Sequence, residues 1–305
     1  MKYIESYTSK TKTSIRYYLY EPKVLLRVKG VVQIHHALSD HADRYEHFAK
    51  FLQGHGFAVV VSDFVGHGKS LIDFEQGYFG EKDGVLNIVE DMQKLVKLTK
   101  SKYSDVPYFL LGCDIGSNFI MKYMTIYGDY IDGAVLLGAS TLVVGYKTKR
   151  IVLSLLSKIK GPTAKSHNFF NHFNGLHNEW VKNPKTEMDW LTSNEEELAK
   201  YMADPMAHFA YSVQAYNDII ENVVDTNKVE TIAKTPKHIG IYLAYGDEDH
   251  LSRFSYQIAE KYKNTGMQDV SVVKFEKRRH LLLFETNKQE IYLSILDWLN
   301  ARTYL

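Results

Sequence analysis

The chain has 305 residues, 45% hydrophobic and 24% charged, which is enough to bury a sizeable core and argues against disorder. Its net charge of +1 gives no reason to expect a nucleic-acid partner, and its single cysteine, Cys113, excludes an internal disulfide framework and suits a reducing, cytoplasmic setting. The opening Met1-Lys2-Tyr3-Ile4-Glu5-Ser6 has no signal-peptide core, and no apolar run approaches the roughly 18 residues of a transmembrane segment.

Along the chain, Ser14 to Tyr20 and Val24 to Val28 read as an opening antiparallel pair. Short β-branched or aromatic runs follow at Gly30 to His35, Phe57 to Ser62, Tyr108 to Gly112, Gly133 to Gly138, Ile239 to Ala244 and Val270 to Phe275. Amphipathic stretches separate them at Arg44 to Gln53, Leu86 to Thr99, Ser117 to Tyr127, Ser255 to Asn264 and Lys288 to Ala301. This alternation predicts an α/β fold, a mostly parallel central sheet flanked by helices. From about Ser140 to Lys234 the strand signal stops, and the segment becomes helical and aromatic, with Phe169, Phe170, Trp180, Trp190, Tyr211 and Tyr216. An insertion between two strands at the carboxyl edge of a sheet lies over the place where such folds bind ligands. We therefore expect a core formed by 1–139 and 235–305 and a helical lid formed by 140–234.

Gly112-Cys113-Asp114-Ile115-Gly116 lies between a strand and a helix and has the form of a nucleophile elbow, with aspartate at its apex. Serine there would mean acyl transfer, whereas aspartate can attack a saturated carbon to give an alkyl ester, or can mark a site that has lost its chemistry. Cys113 is a poor rival nucleophile, because in its register the flanking glycines would have to be Leu111 and Ile115. Asp249 and His280 fall on loops just past the strands ending near Tyr245 and Phe275, in the chain order nucleophile, acid, histidine. Asp247 is the alternative acid, two residues away. The amide of Ile115 and one from the loop His35 to Tyr45, that of Leu38, are the expected oxyanion-hole donors. His35, His36 and His41 read as a hydrogen-bonded loop scaffold, and no metal site is assigned because no convincing carboxylate partner accompanies them. The Gly66-His67-Gly68-Lys69-Ser70 run does not meet the phosphate-loop pattern and reads as a brace under the site.

Four blocks, Gln33 to Tyr45, Asp63 to Ser70, Gly112 to Ser117 and Gly246 to His280, with the lid segment Asp189 to Phe209, give the chain a resemblance to the lysophospholipase and monoacylglycerol-lipase group of α/β-hydrolases, the serine aminopeptidase S33-like group. That resemblance implies that Asp249 and His280 are acid and histidine and that Asp114 stands at the serine position. It implies no cofactor and a small hydrophobic or lipid-like substrate. Departures gather at the chemistry: His36-Ala37 where the group usually has His-Gly, Cys113-Asp114-Ile115 for His-Ser-Met, Ala207-His208-Phe209 for Cys-Gly-Phe, and Leu281 and Phe284 for Glu and Asn. His36, Ala37, Cys113, His208 and the lid tyrosine Tyr211 are accordingly expected beside the substrate. The Asp114-His280-Asp249 set is similar to that of epoxide hydrolases and haloalkane dehalogenases, although Ile115 stands where dehalogenases usually place tryptophan. Two readings follow: a hydrolase with an aspartate nucleophile, or a retired hydrolase scaffold that binds a small molecule or lipid.

Overall fold

The computed structural model describes residues 1–23, 27–73, 75–141 and 145–303. Its centre is an eight-stranded sheet made of β1 (Lys2–Thr8), β2 (Ser14–Tyr20), β3 (Val31–His35), β4 (Ala58–Ser62), β5 (Tyr108–Cys113), β6 (Gly133–Leu137), β7 (Gly240–Gly246) and β8 (Val270–Phe275), in the order β1-β2-β4-β3-β5-β6-β7-β8. β1 and β2 pair antiparallel, β2 joins β4 antiparallel, and every other pairing is parallel. β3 to β7 are buried along their whole length, which is why they read as unbroken apolar runs rather than alternating ones.

The opening pair differs from the expected one. The partner of β2 is β1, whose residues are exposed apart from Tyr7, so it carries no alternation to read. Residues 24–26 of the expected Val24 to Val28 strand lie outside the described residues, and Arg27 and Val28 are not in a strand.

The helices are α1 (Glu46–Gly54), α2 (Gly84–Lys100), α3 (Ile115–Tyr127), α4 (Tyr146–Lys160), α5 (His167–Asn178), α6 (Glu195–Ala203), α7 (Val213–Thr226), α8 (Val229–Ile232), α9 (Tyr256–Asn264) and α10 (Gln289–Asn300). One face of the sheet packs on α2, α3 and α9 through Met92, Leu95, Phe119, Met124 and Ile258. The other packs on α1 and α10 through Phe48, Leu52, Ile291, Ile295 and Leu299. The segment between β6 and β7 contributes α4 to α8 and, among the described residues, no strand to the sheet. Among the described residues no helix is long and apolar enough to cross a membrane.

Candidate active site

At the end of β5 the chain turns sharply into α3, and Asp114 occupies the turn with φ 52° and ψ −118°, a conformation that costs a residue with a Cβ on the order of 1–3 kcal/mol. The flanking glycines are dictated by space. A Cβ at Gly112 would lie 2.4 Å from the Ser117 amide nitrogen, and one at Gly116 2.6 Å from the His35 carbonyl oxygen. The turn is pinned by the Asp114 amide donating to the Leu137 carbonyl at 2.8 Å and by the Ser117 hydroxyl donating to the Gly112 carbonyl at 2.8 Å. Its backbone thus lifts the carboxylate above the sheet edge.

The loop after β7 brings Asp249, whose Oδ1 accepts from the Leu251 amide at 2.9 Å and whose Oδ2 accepts from the Ser252 hydroxyl. The loop after β8 brings His280, whose Nδ1–H donates to Asp249 Oδ2 at 2.7 Å. Its Nε2 stands 3.1 Å from Asp114 Oδ1, at ion-pair distance but unaligned for a hydrogen bond. Asp247, the alternative acid, is exposed and accepts from the Lys277 amide at 2.6 Å, so it holds the β8 turn instead. Burial by itself pulls the His280 imidazole down. Asp249, and after it Asp114, outweigh that and raise its pKa to about 10. Burial pushes Asp249 up, but the charge and hydrogen bond of His280, with the Ser252 and Leu251 donors, bring it below the ordinary carboxylate range. The outcome is a buried imidazolium between two carboxylates.

The Leu38 amide donates to Asp114 Oδ2 at 2.9 Å, so the expected oxyanion donor meets the aspartate's own carboxylate. Ile115 begins α3, where a helix leaves amides without an intrahelical partner, and its side chain faces the cavity. The Leu38 loop is held from both sides: Tyr45 Oη accepts from the Ala37 amide at 2.9 Å and Tyr211 Oη accepts from the Ser39 amide at 2.8 Å. Beneath it, Asp63 Oδ1 accepts from the Ala42 amide at 2.9 Å and Oδ2 from the Lys69 amide at 2.9 Å, which places the Gly66 to Ser70 run as a brace.

A cavity of about 570 Å³ opens above Asp114. Leu38, Ile115 and Asn118 line its floor, Phe169, Phe173, Ile219, Ile220 and Val223 come from α5 and α7, and His250, Leu251, Arg253 and Phe254 come from the loop after β7. Its apolar walls with few polar groups are the ordinary composition of a small-molecule site.

Five residues expected beside the substrate lie outside this lining. His36 is fully buried, with Nδ1–H donating to the Ala37 carbonyl at 2.8 Å and Nε2 accepting from the Phe64 amide at 3.0 Å. Ala37 and Cys113 face the core on the α1 and α10 side of the sheet. His208 lies on another concavity, 3.2 Å from Glu187. Tyr211 spends its hydroxyl on Ser39 and, at 2.5 Å, on His67 Nε2. Cys113, the last residue of β5, faces the opposite side from Asp114 because successive side chains alternate along a strand. Conversely, His177, His250 and Arg253, which line the cavity, are not among the residues expected from the sequence, whereas Trp180 is one of the aromatic residues expected over the site. Only the position of His250 and Arg253 just after Asp249 was a usable signal.

Among the described residues no group of three histidine, cysteine or acidic side chains is arranged to hold a metal. The neighbouring His36 and His67 rings, 4.8 Å apart, are occupied by backbone and tyrosine partners.

Comparisons with known proteins place these features in a family. A family profile described as serine aminopeptidase, S33, matches residues 27–287. The monoglyceride lipase of Mus musculus is 27% identical over 278 residues, 90% of this chain and 82% of that protein. The monoacylglycerol lipase of Mycolicibacterium smegmatis is 26% identical over 180 residues, a match spanning 59% of this chain and 57% of that relative's length. In three dimensions the chain superposes on a thermostable carboxyl esterase from Bacillus coagulans solved with glycerol, with a TM-score of 0.91 and 24% identity over 99% of this chain and 98% of the other; that likeness concerns the fold.

Proposed function

The chain belongs to the serine aminopeptidase S33 family of α/β-hydrolases, and from that premise we propose that it hydrolyses a lipid-like electrophile with Asp114 as covalent nucleophile, His280 as proton carrier and Asp249 as its orienting acid. The observation that carries this reading is the hydrogen bond from the Leu38 amide to Asp114 Oδ2. In an ester of Asp114 that oxygen is the carbonyl oxygen, so the hole is aimed at the oxyanion that forms when water attacks Cγ.

The charge of His280 favours an oxygen leaving group such as an epoxide. Asp114 Oδ1 attacks a ring carbon, the carbon–oxygen bond breaks, and the imidazolium gives its proton to the departing oxygen. Ester formation removes the negative charge of Asp114, one of the two that hold His280 protonated, so the imidazole is released as a base at the step that needs one. Water then passes a proton to Nε2 and attacks Cγ. Collapse of the tetrahedral species expels the alkoxide, which takes a proton from the newly formed Asp114 carboxyl group, and leaves a diol with Asp114 and His280 in their starting states.

One observation favours the second reading, a retired scaffold that binds a ligand. The carboxylate of Asp114 fills the oxyanion position, and at 3.1 Å from Nε2 it leaves no room for a water in between. Intact-mass measurement after incubation with a long-chain terminal epoxide decides between the two. The covalent reading requires a +epoxide adduct on wild type that decays with turnover and is absent in Asp114→Asn. No adduct with epoxides, alkyl halides or lipid esters, together with esterase activity appearing in Asp114→Ser, assigns the protein to the retired class.

A further inference from the structure

Among the residues that line the cavity, Arg253, His250 and His177 each carry a buried side-chain nitrogen with no hydrogen-bond partner among the described residues. Arg253 makes no ion pair among the described residues, and its Nε–H is an obligatory donor left without an acceptor. The guanidinium is held in place by aromatic faces, its carbon 4.9 Å from the Trp180 ring centroid and 4.7 Å from that of Phe254. His250 stacks on the other ring system, 4.0 Å from Trp180 with planes 11° apart, and its Nδ1 is buried and unpartnered, as is Nδ1 of His177. Glu179, the cavity's second carboxylate, stands within ion-pair distance of neither Arg253 nor Lys149, the other cation in the lining. A buried donor without an acceptor costs on the order of 1–3 kcal/mol, more when charged, so the Arg253 guanidinium calls for a ligand that supplies an acceptor, and the two neighbouring imidazoles can donate or accept to match it.

We propose that this cavity selects single-chain amphiphiles with an anionic head group, carboxylate or phosphate, through an ion pair with Arg253, the chain lying against Phe169, Phe173 and Ile220. The planar guanidinium offers two parallel donors to either oxyanion, a geometry a neutral glycerol or alcohol head does not match. Trp180 and Phe254 fix that plane in advance and so reduce the ordering cost of binding. The inference concerns what occupies the cavity and is independent of whether Asp114 reacts.

Titration of Trp180 fluorescence, cross-checked by calorimetry, with laurate, monododecyl phosphate and dodecanol below their aggregation limits tests it, none of the three being an electrophile. Wild type should bind at least one of the two anions about tenfold or more tighter than dodecanol. Which anion is preferred identifies the head group. Arg253→Gln should abolish that margin while leaving dodecanol affinity unchanged, and Arg253→Lys should retain part of it. Equal affinity for charged and uncharged probes, failure of all three to bind, or loss of the margin in Lys149→Gln but not in Arg253→Gln would each overturn the assignment. A protein that binds laurate as expected yet forms no adduct with epoxides would leave this inference standing and remove the covalent one.

Discussion

His280 and the group His35, His36 and His67 are equally buried within one fold, yet the first is charged and the others are neutral. His280 lies between Asp249 and Asp114, which overcome its desolvation and raise its pKa to about 10. Burial, reinforced by His36, lowers His35 to about 3. Burial likewise lowers His36 to about 4, with Asp40 opposing, and takes His67 well below its ordinary value. The first site is a charged row, and the second is a neutral scaffold of rings that join the Leu38 loop to the brace beneath it. Depth alone lowers all four rings and does not separate them. What separates them is whether a carboxylate faces the ring at contact distance.

The sharpest way to break this comparison is to remove the acid that defines the charged site. Asp249→Asn keeps the shape but no longer accepts the Nδ1–H as an anion, and hydrolysis of an Asp114 ester should slow by about 10³–10⁴-fold, the order typical of disabling such an acid. Pre-steady-state adduct decay measures it, and a loss under tenfold would show that His280 needs no such partner.

Stability against pH separates the two groups next. A folded pKa of about 10 against an ordinary 6.5 means that the stabilisation from His280 is complete below pH 6.5 and is lost as pH rises toward 10. The stability of wild type relative to His280→Gln should therefore fall by a few kcal/mol across that window, on the order of 1.4 kcal/mol per pKa unit. His36 runs the other way. Its contribution is present above pH 6.5 and is lost as pH falls toward 4, so wild type relative to His36→Gln should weaken in acid. Urea denaturation from pH 4 to 10 gives both curves, and parallel slopes would refute the distinction.

Smaller effects sharpen the scaffold side. Tyr211→Phe deprives the buried Ser39 amide and His67 of a partner and should cost about 1–3 kcal/mol by denaturant unfolding. The loosened Leu38 loop should slow ester hydrolysis less than Asp249→Asn does. Least of all, Asp204→Asn at the partly exposed pair with His41, 2.8 Å long, should change stability by no more than about 1 kcal/mol. A larger loss there would mean that a carboxylate at the rim acts like one in the core.

Much of the architecture was legible in the residues. Buried parallel strands appear as unbroken apolar runs because both faces are covered, and the elbow appears as Gly-x-Asp-x-Gly because two close backbone approaches exclude a Cβ at Gly112 and Gly116. The order Asp114, Asp249, His280 and their places just past strand ends could also be read from the chain. β1 could not, since an exposed edge strand carries no periodic signal.

The sequence by itself determined the family, the parallel part of the sheet and which three side chains meet, since each depends on local spacing and chain order. Tertiary structure alone decided which neighbours face the cavity and which face the core. It turned His36, Cys113 and Tyr211 inward and brought Trp180 to Arg253 and His177 to His250 from the inserted segment. It also decided the charge of His280, because the carboxylates that raise its pKa, Asp249 and Asp114, stand on other loops. Side-chain direction and electrostatic environment are properties of packing, and no short window of sequence holds His280 together with both carboxylates.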